Sequence, residues 1–306
     1  MEIAIAIITG TVVAATPLLF AAMGELVAER SGVLNLGVEG MMLIGAVTAF
    51  HVAFAGYPLA VAAGAGVLAG AASSLVFGVL ALNLLANQYA AGIALTILGG
   101  GLSAFLGREF GAAPIDPVEA LHIPVLSDIP VVGRILFDYD PLVYVAFILF
   151  GLIWWMLFRT KAGLVLRIIG ENPQAAHDIG FKVIPIRYLA VLFGGAMAGL
   201  GGAYLAIAYT PLWVENMTAG RGWIALALVV FASWRPLRVL LGAILFGGVN
   251  ILQLHAQGQG IGPASEFLSA LPYLATILVL VLISRNRQTQ KVNFPASLAK
   301  PFRPGH

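Results

Sequence analysis

Two short polar stretches, set into an otherwise apolar chain, hold most of the residues able to do chemistry. The first runs from Gly24 to Met42 and contains Glu25, Glu29, Arg30, Asn35 and Glu39. Glu39 opens a long apolar run, where the positive end of a helix dipole favours a carboxylate. Asn35 can cap the same helix. Simple capping is one reading of the pair. The other is that both face a path through a membrane, because ionisable groups at membrane depth are functional candidates by default. Asn250 and Gln253, polar groups inside a later apolar run, are weaker candidates for the same path. The second stretch is Gly170-Glu171-Asn172-Pro173-Gln174-Ala175-Ala176-His177-Asp178-Ile179-Gly180. Asn172 suits an N-cap, Pro173 the first helical position and Gly180 a left-handed stop. The expected product is a stubby polar helix over 174–179, whose two alanines let it seat closely in a groove on another protein.

Other chemistries fail on residue type or spacing. Cysteine is absent, and the histidines at 51, 122, 177, 255 and 306 have no metal-ligand spacing. No Gly-x-x-x-x-Gly-Lys-Ser/Thr loop is present, so no nucleotide or other cofactor is expected in this chain, and ATP hydrolysis would need a partner. A net charge of +2 gives no reason to expect nucleic acid.

The elements that position these stretches follow from composition. The chain is 60% hydrophobic and only 10% charged, whereas a soluble domain carries roughly 25% charged residues to solvate its surface. Lipid must therefore be the solvent. Between Glu39 and Arg108 lie 68 residues without Asp, Glu, Lys or Arg, room for about three spans of ~20 residues each. The expectation is an all-α polytopic bundle of about nine spans (eight to ten), near 3–22, 38–55, 59–82, 89–107, 141–158, 188–209, 222–234, 239–255 and 269–284. The first reads as a retained span, because Met1-Glu2 supplies no basic leader. Two stretches read as broken or half-helices: residues 31–40, and the run 222–234 that follows Gly220-Arg221-Gly222-Trp223. Irregular backbone at membrane depth survives only where protein or a watery cavity satisfies it, and such breaks point to a substrate path. Two interfacial turns are the alternative. The glycine strings 99–101 and 194–202 are expected at helix crossings.

Residues 1–284 then form one transmembrane domain, with an outer loop at 108–140 and a cytosolic coupling loop at 159–187. Residues 285–306 are a basic cytosolic tail, expected to be disordered. Orientation rests on the basic residues, of which 12 of 16 fall in 159–187, 234–238 and the tail, while 108–140 holds six acids.

The run Glu29-Arg30-Ser31-Gly32-Val33-Leu34-Asn35-Leu36-Gly37-Val38-Glu39-Gly40-Met41-Met42 closely resembles the signature of permeases in the ribose, nucleoside and branched-chain amino acid ABC importers. Its Val38-Glu39-Gly40-Met41-Met42 ending is most similar to the nucleoside and simple-sugar branch. Glu171, Asn172, Pro173, Ala175, Ala176 and Gly180 resemble the loop by which such permeases dock on their ATPases, and Gly220 to Pro236 resembles the family's late signature. The resemblance implies a permease that moves nucleosides or simple sugars by alternating access. Its implied partners are an ABC ATPase that binds ATP and Mg, a second and different permease subunit, and an extracytoplasmic substrate-binding protein. The implied location is a bacterial inner membrane, with the C-terminus cytosolic. A branched-chain amino acid permease and an ion-coupled secondary transporter are the competing readings.

Overall fold

The computed structural model describes residues 1–258 apart from 112 and 128, the isolated positions 270, 274 and 278, and residues 293–303. Among them the regular elements are helices: α1 (Glu2–Arg30), α2 (Val38–Phe54), α3 (Leu59–Gly78), α4 (Gln88–Gly107), α5 (Val132–Leu136), α6 (Pro141–Arg159), α7 (Lys161–Glu171), α8 (Pro173–Asp178), α9 (Val183–Tyr204), α10 (Arg221–Phe231) and α11 (Pro236–Gly258). Single π-turns extend α3 over Val79–Asn83 and α9 over Leu205–Tyr209. Six of these helices are long and apolar enough to cross a bilayer, and α2 and α10 are shorter apolar helices. These eight coincide with eight of the nine expected spans; the ninth, 269–284, lies outside the described residues save for its three isolated positions.

Helix α9 is the axis of the bundle, packed by α1, α2 and α3. Backbones approach closely because the crossing residues are glycines, the arrangement membranes favour where there is little hydrophobic drive between helices. A Cβ on Gly45 of α2 would stand 2.5 Å from Gly199 Cα of α9, and one on Gly99 of α4 would stand 2.5 Å from Gly40 Cα. Gly194 to Gly202 do mark crossings, but Gly100 and Gly101 meet open space and hold no neighbour within 4 Å.

The loop 108–140 folds back over one end of the bundle. Ile115 N–H donates to Pro211 O at 3.0 Å, Phe110 packs edge-on against Phe50, and Arg134 pairs with Glu2 at 2.7 Å. This acidic end is opposite the basic end, which carries α7, α8 and the turn before α11.

The tail departs from expectation. Residues 293–303 are not a loose end but a strap across the basic end. Ser297 and Phe302 are buried, Ser297 N–H donates to Gly170 O at 2.9 Å and Ala299 N–H to Gly32 O at 3.2 Å. The apolar Phe302 and the Pro295 turn supply local reasons to pack that a count of basic residues overlooks.

Candidate functional site

Backbone in the break between α1 and α2 finds partners on neighbouring elements, as membrane depth demands. Leu34 N–H donates to Gln88 Oε1 at 2.9 Å, at the start of α4, and Thr96 hydroxyl donates to Leu36 O at 3.0 Å. Gly40 then packs on Gly99. Residues 34–40 thus climb the first half of α4, which brings Glu39 near the middle of the bundle.

At that level α10 begins. Thr210–Gly220 leaves the acidic end, where α9 finishes, and dips inward; Gly220 closes the dip with a left-handed φ of +80°. Thr218 hydroxyl and Gly220 N–H donate to Glu39 Oε1 at 2.6 and 2.8 Å, and Gly222 N–H donates to Glu39 Oε2 at 2.6 Å. One carboxylate therefore caps the N-terminus of α10 while standing in the first turn of α2. Two helix dipoles present their positive ends to it, and each charge-assisted bond is worth roughly 1.5–3 kcal/mol. Gly222 is required at this contact, since a Cβ there would lie 2.5 Å from Glu39 Cα. From this junction α2 runs toward the acidic end and α10 toward the basic end.

Asn35 and Glu39, expected along the path, both lie at this level of the bundle and are buried. Their relative exposures are 1% and 4%. Asn35 N–H donates to Glu25 Oε1 at 3.0 Å, and its side-chain oxygen accepts Gly37 N–H at 2.9 Å. The Asn35 side chain thus holds backbone just before α2, whereas the Glu39 carboxylate reaches across the bundle to α10. Asn250 and Gln253 stand elsewhere. Gly247 packs on Thr11 and Ala15, and Ile251 on Gly10, so this part of α11 follows the first half of α1, away from the Glu39 junction.

At the basic end the loop helix forms much as its residues dictate. Ala175 N–H donates to Asn172 Oδ1 at 3.0 Å, Pro173 is the first helical residue, and Gly180 adopts φ +96°. The helix ends at Asp178. Its two alanines point opposite ways. Ala175 is exposed, as are Glu171, Asn172, Asp178, Ile179 and Gly180. Ala176 is fully buried in a small cluster with Ile169, Val183 and Phe302, so it is this chain's own core and not a surface for a partner.

A second knot at the basic end joins the end of α1 to the turn after α10, and α9 to the strap. Trp234 indole N–H donates to Glu29 Oε2 and Arg30 Nη2 donates to Trp234 O at 2.8 Å, across the turn that follows α10. Arg187, 1% exposed, donates to Ser31 O and to Ser297 Oγ, both at 3.0 Å. Thr218, Gln88, Arg187, Trp234 and Ser297 are the polar partners that the sequence reading missed. Their available signal was a lone polar residue beside glycine or at the edge of an apolar run. Outside the spans, burial raises the Asp140 carboxyl above its ordinary range; it caps α6 and accepts from Tyr204 hydroxyl at 3.1 Å. Among the described residues no three His, Cys, Asp or Glu converge as metal ligands.

Comparison with known proteins adds three findings. Residues 7–283 match the family model for "Branched-chain amino acid transport system / permease component". The chain is 38% identical to "Putative glucose ABC transporter permease protein TsgC13" of Haloferax volcanii, covering 99% of this chain and 98% of that protein, and 36% identical to "Nucleoside ABC transporter permease protein NupC" of Lactococcus lactis, covering 90% and 91%. Its fold is similar to a solved structure, "An inward-facing conformation of a putative metal-chelate type ABC transporter", at TM-score 0.52 and 15% identity over 90% of this chain and 84% of that one.

Proposed function

Because the chain belongs to the branched-chain amino acid transport system permease family, a family of multi-pass ABC transporter subunits, we propose that it forms the path for nucleosides or simple sugars across the membrane. It is a transport subunit, and ATP hydrolysis falls to a separate ABC partner. The family takes its description from amino acid transport, but the relatives above are named for glucose and nucleosides, and the Val38-Glu39-Gly40-Met41-Met42 ending points the same way.

The observation that carries the mechanism is the Glu39 junction. Two short helices held N-terminus to N-terminus by one side chain form a joint, with one arm toward each end of the bundle. Alternating access then amounts to tilting α2 and α10 about that joint. The turn after α10 carries Trp234, bonded to Glu29 at the basic end, so a movement imposed there reaches the joint. The exposed face of α8, centred on Ala175 and Ile179, supplies the contact through which the ATPase imposes it. In this reading the basic end is cytosolic, a second and different permease completes the path, and an external binding protein delivers the substrate.

Reconstitution with an ABC ATPase, a second permease and a binding protein tests the substrate class. Labelled guanosine or glucose enters on ATP addition, and excess unlabelled nucleoside or sugar suppresses it. Competition by leucine but by neither of them overturns the assignment.

A further inference from the structure

We propose that the strap 293–303 and α8 form one composite docking surface for the ABC ATPase, in which Lys300 and Arg303 receive an acidic segment of that partner. The inference rests on the reading of α8 as the docking helix and extends it to a part of the chain that the docking-loop resemblance does not include.

The strap is built as a fixed surface. Ser297 hydroxyl lies 2.7 Å from Gly170 O, the residue two before the α8 cap, and its oxygen accepts Arg187 Nη2 at 3.0 Å. Phe302 is buried against Ile169 and against Ala176 on the inner side of α8, with the His177 ring 6.0 Å away, edge to face. Helix and strap therefore share one small core. The polar anchor at Ser297 and the apolar anchor at Phe302 bracket Lys300 and leave its side chain outside. Arg303 follows directly and is exposed too.

Between the two elements runs an open groove of about 710 Å³. Asn172, Pro173 and Gln174 form one wall; Lys300, Pro301 and Arg303 form the other. Residues 293–303 contain no acid, and the one carboxylate lining the groove, Glu171, is on the opposite wall. A partner seated on Ala175 and Asn172 lies over the mouth of this groove and meets both cations. The occupant that fits is a protein segment offering a carboxylate to Lys300 and Arg303 and side-chain bulk to the groove. An anionic lipid surface would use the charges but leave the recess between α8 and the strap unfilled.

Three permease variants, two of them central, are compared in the complete complex, purified by a tag on the second permease subunit. Lys300→Glu/Arg303→Glu alters only exposed side chains of the strap, and Ala175→Trp alters only the exposed face of α8. Both are expected to lower ATPase recovery at least tenfold, with the permease melting temperature unchanged. Lys300→Gln/Arg303→Gln should give a smaller loss in the same direction, and a charge-reversal pair that melts early is judged by this milder pair. If the charge variants keep the ATPase while Ala175→Trp loses it, the strap is not part of the surface and the α8 reading stands. If Ala175→Trp also keeps it, the α8 reading itself has failed. If the charge variants keep the ATPase but lose stabilisation by phosphatidylglycerol vesicles, the cations serve lipid and the proposal is overturned.

Discussion

Glu39 accepts the backbone N–H of Gly222 at 2.6 Å across 183 residues of chain, and a Cβ on Gly222 would stand 2.5 Å from Glu39 Cα. One contact thus joins the two places where helices break inside the bundle. The break near Asn35 and the dip before α10 are halves of a single joint, each supplying what the other lacks: a carboxylate without donors, and a helix start without an acceptor.

Removing the carboxylate charge should loosen the joint. In Glu39→Gln the amide cannot accept at both ends, so a donor among Thr218, Gly220 and Gly222 is left unmatched, at a cost of about 1–3 kcal/mol. Uptake should fall at least tenfold while the protein still reaches the membrane. Gly222→Ala should reproduce the loss by sterics alone. Wild-type uptake by both variants would dismiss the joint.

The two alanines of α8 should behave oppositely. Ala176→Glu places an unpaired charge against Ile169, Val183 and Phe302, a change that costs about 3 kcal/mol or more and should lower the melting temperature of the isolated permease. Ala175→Trp, on the exposed face, should leave melting unchanged yet abolish ATP-driven uptake. Equal melting behaviour of the two variants would contradict the burial described above.

Labelling reports the orientation. With no native cysteine, Glu119→Cys in the outer loop and Lys161→Cys at the start of α7 can be probed separately, both positions being exposed. An impermeant thiol reagent added outside intact cells should modify the first and spare the second. The reverse pattern would invert the protein in the membrane.

Strap anchoring has its own test. Ser297→Cys should resist thiol reagents in the folded permease on either side of the membrane and react once the protein is denatured, because Ser297 is 4% exposed. Ser297→Ala leaves Arg187 Nη2 without its acceptor and should cost roughly 1–3 kcal/mol in stability. Rapid modification of the native cysteine variant would show that the strap does not stay closed.

Helix positions were legible in the sequence because hydropathy is a local property: an apolar run must bury its backbone polar groups in its own hydrogen bonds wherever it lies in the bundle. The ends of α8 were legible for the same reason, since Asn172 and Gly180 act on atoms within a turn of themselves. Only the tertiary structure decided what lies across the chain from each of these. Glu39 stood out as a polar group at depth, but its partners, Gly222 and Thr218, are far away in sequence. Adjacent alanines in α8 are equivalent by composition, and packing on Ile169, Val183 and Phe302 settles which one is core. The tail read as solvated because it is basic and rich in proline, yet Ser297 and Phe302 find partners on α7, α8 and α9 that no local pattern announces. Local sterics and solvation write the elements into sequence, whereas the pairing of a donor with a distant acceptor is a property of the assembled bundle.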